Sequence, residues 1–265
     1  MTDSDVERVA AGYDAVYATL PRSATFDRLW RTHACGDDFP AGFEHISFVT
    51  LAELQAMSRA LRLHPGDTLL DLACGMGGPG LWMARENRAK FIGADVSMVA
   101  LAAAGERAAN TGVAGARFLH GSFAATGLGA GSIDGVMSID ALQYAPDKQA
   151  ALAEMARVLR PGGRLVFACF ELDPARVAGL PVLGTDAVGD YAPLLDNAGF
   201  DVDRYEETPG WRERVTGAYQ AILDARPALT QELGEGAYNA LAGEVTLTLQ
   251  LQPYRRRVFV SATKR

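Results

Sequence analysis

Between residues 67 and 170 short apolar runs alternate with longer stretches in which apolar positions recur every three or four residues. The runs predict strands at 68–72, 91–95, 116–119, 133–139 and 164–170, with helices between them at about 79–88, 97–111 and 147–159. Strands and helices alternating at these lengths predict an α/β fold, a parallel sheet with helices on both faces. Upstream, Val6, Val9, Tyr13, Val16, Tyr17 and Leu20 make one stripe of a helix over 4–20, which Pro21 and Ser23 end. A second short helix is expected at 24–33, then a loop through Gly36-Asp37-Asp38-Phe39-Pro40-Ala41-Gly42. Thr50 should cap a helix over 51–62, with Glu53 at its third position completing a capping box. Downstream, Thr185 is the expected cap of a helix over 186–198, and Gly199 to Tyr205 reads as a strand. Two helices at 211–226 and about 232–251 follow, and Arg257 to Ala262 is the last strand.

The stretch Leu69-Leu70-Asp71-Leu72-Ala73-Cys74-Gly75-Met76-Gly77-Gly78-Pro79-Gly80 joins a buried strand to a helix through a turn of small residues. Pro79 suits the first helical turn, where its missing N–H has no partner to lose. A nucleotide-like ligand at the strand's carboxyl end fits this geometry. Gly75, Gly77 and Gly80 match the dinucleotide pattern G-x-G-x-x-G, which alone is a weak signal. Asp71 says more, because a carboxylate on the strand just ahead of the turn can receive a cationic amino group. Asp95 closes the next apolar run at the spacing of a ribose-binding residue, although a carboxylate opening a helix is also favoured by the helix dipole. An ammonium and a ribose without phosphate describe S-adenosylmethionine (SAM).

Three segments in this order resemble class I SAM-dependent methyltransferases. They are Asp71-Leu72-Ala73-Cys74-Gly75-Met76-Gly77, Asp95-Val96-Ser97 and Leu159-Arg160-Pro161-Gly162-Gly163-Arg164-Leu165. The resemblance is close over roughly 50–170 and extends to the small-molecule ubiquinone, tocopherol and sugar O-methyltransferase group. It implies a Rossmann-like, seven-stranded, mostly parallel sheet whose last strand is antiparallel, with a helical cap. The implied layout is an N-terminal cap segment at 1–48, a SAM-binding core at 49–210, a helical lid at 211–253 and the last core strand at 254–265. The implied cofactor contacts are Tyr13, Asp71, Ala73, Gly75, Gly77, Asp95, Val96, Ser122, Phe123 and Asp140. Some sugar O-methyltransferases of that group carry a histidine pair and an aspartate where this chain has Gln143, Tyr144 and Cys169. That leaves His45, Tyr144, Glu171 and Tyr13 as candidate bases. His45 is the one with an ordinary pKa near neutrality, and Tyr144 serves equally as an orienting donor. His45 and Tyr144 are the catalytic candidates carried forward. Trp30, Phe43, Phe48, Trp211, Tyr219 and Tyr238 are candidate walls of an apolar acceptor pocket.

Composition narrows the partner class. The 265 residues carry a net charge of −7 and no long Lys/Arg run, so the electrostatic footprint of a nucleic-acid binder is missing. The Asp/Asn-Pro-Pro-aromatic motif of base methyltransferases is missing too. Arg255-Arg256-Arg257, the densest basic cluster, is expected to face outward at the start of an edge strand. Three cysteines argue against a disulfide framework and for a reducing cytoplasm, and no His/Cys spacing calls for a metal. No apolar run reaches membrane-spanning length. The expectation is therefore methyl transfer from SAM to a small apolar or aromatic acceptor in biosynthesis, through O-, N- or C-methylation, with a homo-oligomer left open. Two alternatives stay open. One is an NAD(P)-dependent oxidoreductase, for which no Tyr-x-x-x-Lys is found; the other is a SAM-binding protein of this fold acting as a cyclase or regulator.

Overall fold

A computed structural model describes residues 3–181 and 187–265. Seven strands form one sheet: β1 (Thr68–Leu72), β2 (Lys90–Asp95), β3 (Arg117–His120), β4 (Ile133–Ile139), β5 (Leu159–Leu172), β6 (Phe200–Glu207) and β7 (Arg255–Lys264). Their order is β3-β2-β1-β4-β5-β7-β6. The first five run parallel, and β7 pairs antiparallel with both β5 and β6. β7 is thus an interior strand, and the expectation of an edge position for the arginine run is corrected. The chain leaves β1 first toward β2 and later toward β4, so a crevice opens at the carboxyl ends of β1 and β4, the usual ligand position in such sheets.

Neighbouring residues on the strands feed opposite cores. Leu69, Val166, Ala168 and Phe259 pack on one face, while Leu70, Leu165, Phe167 and Val260 pack on the other. A sheet covered on both faces needs apolar residues at successive positions, which is why the strands read as continuous runs rather than alternating ones. The helices that flank the sheet are α3 (Leu51–Leu61), α4 (Gly78–Asn87), α5 (Met98–Thr111), α6 (Lys148–Val158) and α7 (Ala192–Asn197). The Thr50/Glu53 capping box forms as expected: the Thr50 side chain accepts from Glu53 N–H, and Glu53 accepts from Thr50 N–H. In β5, Leu159 pairs with Ile133 and Arg164 with Gly135, and a register break absorbs the Pro161-Gly162-Gly163 turn. Helix α7 begins later than the expected 186–198, and the proposed cap Thr185 lies outside the described residues.

Helices α1 (Asp3–Thr19) and α2 (Ala24–Trp30), with a π turn at Arg31–Cys35, precede the sheet. Three helices, α8 (Trp211–Asp224), α9 (Arg226–Leu233) and α10 (Glu235–Leu251), lie between β6 and β7 where two were expected. The additional helix is α9, in the stretch left between the two expected ones; Gly234 parts it from α10, and its start is marked by Pro227. That proline sits in the first turn of α9, where its ring is tolerated, and bars a continuous helix through 226. These two groups of helices are tied to each other. Glu232 of α9 accepts from Ser23 Oγ (2.5 Å), Thr25 Oγ1 (2.6 Å) and Thr25 N (3.1 Å) at the start of α2. Together they roof the crevice. No helix among the described residues is long and apolar enough to cross a membrane.

Candidate active site

The turn after β1 is built by backbone conformation. Ala73 (φ 64°), Gly75 (φ 52°) and Gly77 (φ 77°) all take positive φ, a region that costs a residue with a Cβ energy. The N–H groups of Ala73 and Cys74 both donate to Ala94 O, at 2.8 and 3.1 Å, which pins the turn to β2. A Cβ at Gly80 would collide with the Asp71 carboxylate and the Phe91 ring, so the close approach of α4 to β1 requires glycine there. Asp95 holds the turn from the other side. Its Oδ2 accepts from Gly75 N and its Oδ1 from Ser97 N, each at 2.8 Å. Each oxygen keeps a lone pair for a further donor. Asp71 is 3% exposed, and burial followed by the neighbouring Asp95 pushes its carboxyl up to about 8. Two acids thus sit side by side on neighbouring strand tips, and one of them is neutral near pH 7.

Both acids line a cavity of about 850 Å³ between the sheet and the roof. Ala73, Gly75, Val96, Ser122 and Phe123 line the same end. Tyr13 and Tyr17 of α1 close it from above, their rings stacked at 6.1 Å. The sequence pointed to Tyr13, yet the Tyr17 hydroxyl lies directly over Gly75 while Tyr13 meets the ring of Tyr144 edge-on at 5.9 Å. Helix α1 is anchored by Asp14, whose Oδ1 accepts from Ser97 Oγ at 2.5 Å beside Asp95. Gly77, expected among the cofactor contacts, does not line the cavity. It caps α4, and a Cβ on it would press on Leu81 and Ala104.

The far end is apolar with a polar pole. Phe26, Trp30, Ile46, Phe48, Phe170 and Tyr219 form its walls. Helix α10 turns Ala237, Ala240, Leu241, Glu244, Val245 and Thr248 toward it at three- and four-residue spacing. Glu244 is the one charged residue of that stripe; it reaches solvent as well as the cavity, and the burial it has raises its pKa against the pull of Arg255. Arg255 lies 3.9 Å over the Phe170 ring, and its Nη1 is buried without a hydrogen-bond partner. Tyr144 sits in a 3-10 turn (Leu142–Tyr144) after β4 beside them, its phenol held neutral first by burial and then by Glu244. The sequence reading missed Glu244 and Arg255. An acidic residue at the centre of an apolar helical stripe was the available signal.

Several expectations are corrected here. His45 lines the cavity but is not a neutral-pH base. Burial and the nearby Arg107 push its pKa down to about 3. Its Nδ1 accepts from Ser47 N at 3.2 Å, which places the proton of the neutral ring on Nε2, a buried donor without a partner. Glu171 is off the cavity, paired with Arg256 at 2.6 Å and bonded by the Tyr205 hydroxyl. Asp140 lines the cavity, but its carboxylate is taken by Arg257, with Nε at 2.8 Å, and by Phe48 N at 2.7 Å. Cys169 faces the opposite core. Phe43, Trp211 and Tyr238 are core residues rather than walls. The three consecutive arginines have three fates. Arg257 is fully buried between Asp140 and Glu53, Arg256 meets Glu171, and Arg255 enters the cavity.

Comparison with known proteins follows the same outline. A methyltransferase-domain family model matches residues 70–167. The chain is 29% identical over 279 residues to 27-O-demethylrifamycin SV methyltransferase of Amycolatopsis mediterranei, covering 97% of this chain and 99% of that protein. It is 33% identical over 196 residues to the methyltransferase GfsG of Streptomyces halstedii, covering 66% of each. Among solved structures it superposes on the cyclase SpnF with a TM-score of 0.74 at 21% identity, over 98% of this chain and 96% of that one. It superposes on the cyclopropane synthase MmaA2 of Mycobacterium tuberculosis with a TM-score of 0.69 at 18% identity, over 95% and 98%. At these identities the structural likenesses speak for the fold alone.

Proposed function

This chain belongs to the class I SAM-dependent methyltransferases, and from that footing we propose that it transfers the methyl group of SAM to a small, largely apolar biosynthetic metabolite. Family membership sets aside the NAD(P)-dependent oxidoreductase. The observation that carries the reading is the pair of acids, Asp71 and Asp95, facing one cavity whose other end is walled by aromatic rings.

The donor set suits the cofactor. Asp95 has a free acceptor position on each oxygen for two ribose hydroxyls. Asp71, neutral when the neighbouring space lacks a cation, is suited to an ammonium that would draw out its proton. The positive-φ turn at Ala73 and Gly75 lets backbone approach without a side chain in the way. Ser122 and Phe123 line the same cavity and would offer the adenine a hydroxyl and a ring face. When bound, SAM supplies the electrophile, a methyl on a positively charged sulfur. The chain's own task is to hold donor and acceptor in line and keep water away, and such positioning accounts for about 7–11 kcal/mol of a barrier. The Tyr13–Tyr17 roof and the rings of Trp30, Phe48 and Phe170 serve both ends.

The relative from Amycolatopsis supports this reading by its name, a 27-O-demethylrifamycin SV methyltransferase, which specifies an oxygen position. The test is calorimetric titration with SAM, S-adenosylhomocysteine and NAD, followed by mass analysis of candidate metabolites incubated with labelled SAM. Tight binding of the first two and a mass gain of one methyl group are expected. Binding of the cofactor with acceptor conversion but no S-adenosylhomocysteine formed would instead favour a cyclase-like use of the fold.

A further inference from the structure

We propose that Glu244 and Arg255 form the acceptor-activating pair of this enzyme, Glu244 taking the proton of an acidic phenol or enol hydroxyl and Arg255 holding the oxygen left behind. The inference rests on the methyl-transfer reading and goes further, because it names the acceptor's chemical class and the base.

The two residues come from different elements, α10 and β7, and meet at one end of the cavity. Arg255 differs from both of its neighbours. Arg256 and Arg257 have carboxylates in ion-pair contact, and Arg255 has none among the described residues. Its guanidinium is stacked on Phe170, one N–H end is buried without a partner, and Thr248 Oγ1 on the same cavity wall is likewise unpartnered. A stacked, planar cation with an unused donor suits an oxyanion or a carbonyl oxygen. Glu244 and Arg255 line the same cavity and feel each other's charge without an ion pair between them. The other titratable groups facing the pair are Tyr13 from α1, Tyr144 from the turn after β4, Tyr219 from α8 and Asp140 at the end of β4. The three phenols are kept neutral by burial, and Asp140 is neutralised by Arg257. Glu244 is therefore the one free proton acceptor of the pole among the described residues.

The step balances with SAM as co-reactant. The acceptor O–H bond breaks and its proton goes to Glu244. The oxygen's electron pair forms the O–CH3 bond as the CH3–S bond breaks, and the sulfur keeps that bond's pair, giving S-adenosylhomocysteine. The carboxyl then returns its proton to solvent.

The test uses para-nitrophenol, whose phenolate is coloured, titrated with pH on the intact protein with and without saturating S-adenosylhomocysteine. The ionisation midpoint of bound dye should lie about one unit or more below that of free dye, as for an acid placed beside a cation. Arg255→Met should return the midpoint toward that of free dye, and Glu244→Gln should lower it further by removing the competing negative charge. A structural role for either residue would not give shifts of opposite sign. Lack of saturable dye uptake, an unshifted midpoint, or shifts of the same sign in both variants would overturn the proposal. Calorimetry with S-adenosylhomocysteine on the same three proteins reports on the methyl-transfer reading separately, and its failure would leave the dye result standing by itself.

Discussion

The two ends of the cavity are made of different material. At the Asp71–Asp95 end the groups come from neighbouring strand tips, and Asp95 is held by backbone N–H groups fixed by the turn, Gly75 N and Ser97 N. At the Glu244–Arg255 end the groups come from a roof helix and from the seventh strand, and Arg255 lies over the Phe170 ring. The first end is set by main-chain geometry and leaves little freedom for a different ligand. The second is set by side chains on inserted helices, which can be exchanged without touching the sheet. A fold used this way keeps its cofactor and changes its acceptor.

The sharpest way to separate the ends is to remove the base. Glu244→Gln should lower kcat by about 10²–10⁴-fold, the usual contribution of a positioned proton acceptor. S-adenosylhomocysteine affinity, measured by calorimetry, should stay at the wild-type value. A joint loss of binding and turnover would show that the two ends do not work independently.

The converse substitution acts on the other end. Asp95→Ala removes an acceptor from two backbone N–H groups as well as from the ribose. Hydrogen bonds to a charged group contribute about 1.5–3 kcal/mol each, so affinity for S-adenosylhomocysteine should fall on the order of 100-fold. Binding of para-nitrophenol to the free protein should survive. Unchanged cofactor affinity would return Asp95 to the plainer role of opening helix α5.

The same contrast explains what was legible beforehand. Strand and helix periods, the capping box at Thr50 and the acids Asp71 and Asp95 are local signals, since each depends on residues a few positions apart. The fates of Arg255, Arg256 and Arg257 are not local. Successive residues on a strand point to opposite faces, so Arg255 and Arg257 share one face and Arg256 takes the other; Arg257 finds its partners at residues 140 and 53 and Arg256 at 171. No period in the sequence announces that β7 is inserted between β5 and β6. Asp140 is a similar case: it follows β4 and lines the cavity as expected, and only the fold shows that Arg257 holds its carboxylate. Glu244 lies in plain view as an acid in the apolar stripe of the helix expected at about 232–251, and only the fold brings Arg255 to the same cavity.

A smaller effect, about tenfold per pH unit, is expected from Asp71. Its carboxyl is raised from an ordinary 3.8 to about 8 by burial, so it is protonated in the free protein at neutral pH. A bound ammonium favours the carboxylate, so cofactor binding should release a proton. Affinity should therefore rise with pH up to about 8 and level off above it. Calorimetry in buffers of different ionisation heat measures that proton directly. The stability linkage has a matching sign. A raised pKa means the unfolded chain ionises first, so the free protein should lose stability between about pH 4 and 8, and bound cofactor should flatten that decline. Asp71→Asn should abolish both the proton release and the slope.

The smallest effect should come from the residue that looked most catalytic. His45 lies on the cavity wall, and a base there would make the roof loop part of the chemistry. Its lone-pair nitrogen is instead occupied by Ser47 N–H, and a pKa pushed down to about 3 keeps the ring neutral at any pH where the enzyme works. Nε2–H remains as a donor, and the ring packs edge-on against Phe39 with centroids 4.3 Å apart. Losing that packing and the hydrogen bond to Ser47 should cost about 1–2 kcal/mol of stability, read by urea unfolding. Turnover in His45→Ala should change by no more than about threefold, and the pH–rate profile should keep its shape, because the group that titrates in it is Glu244 on the opposite wall. A profile that lost its acid limb on removing His45 would transfer the base from the inserted helix to the N-terminal roof, and the division between a backbone-built end and a helix-built end would have to be redrawn around that loop.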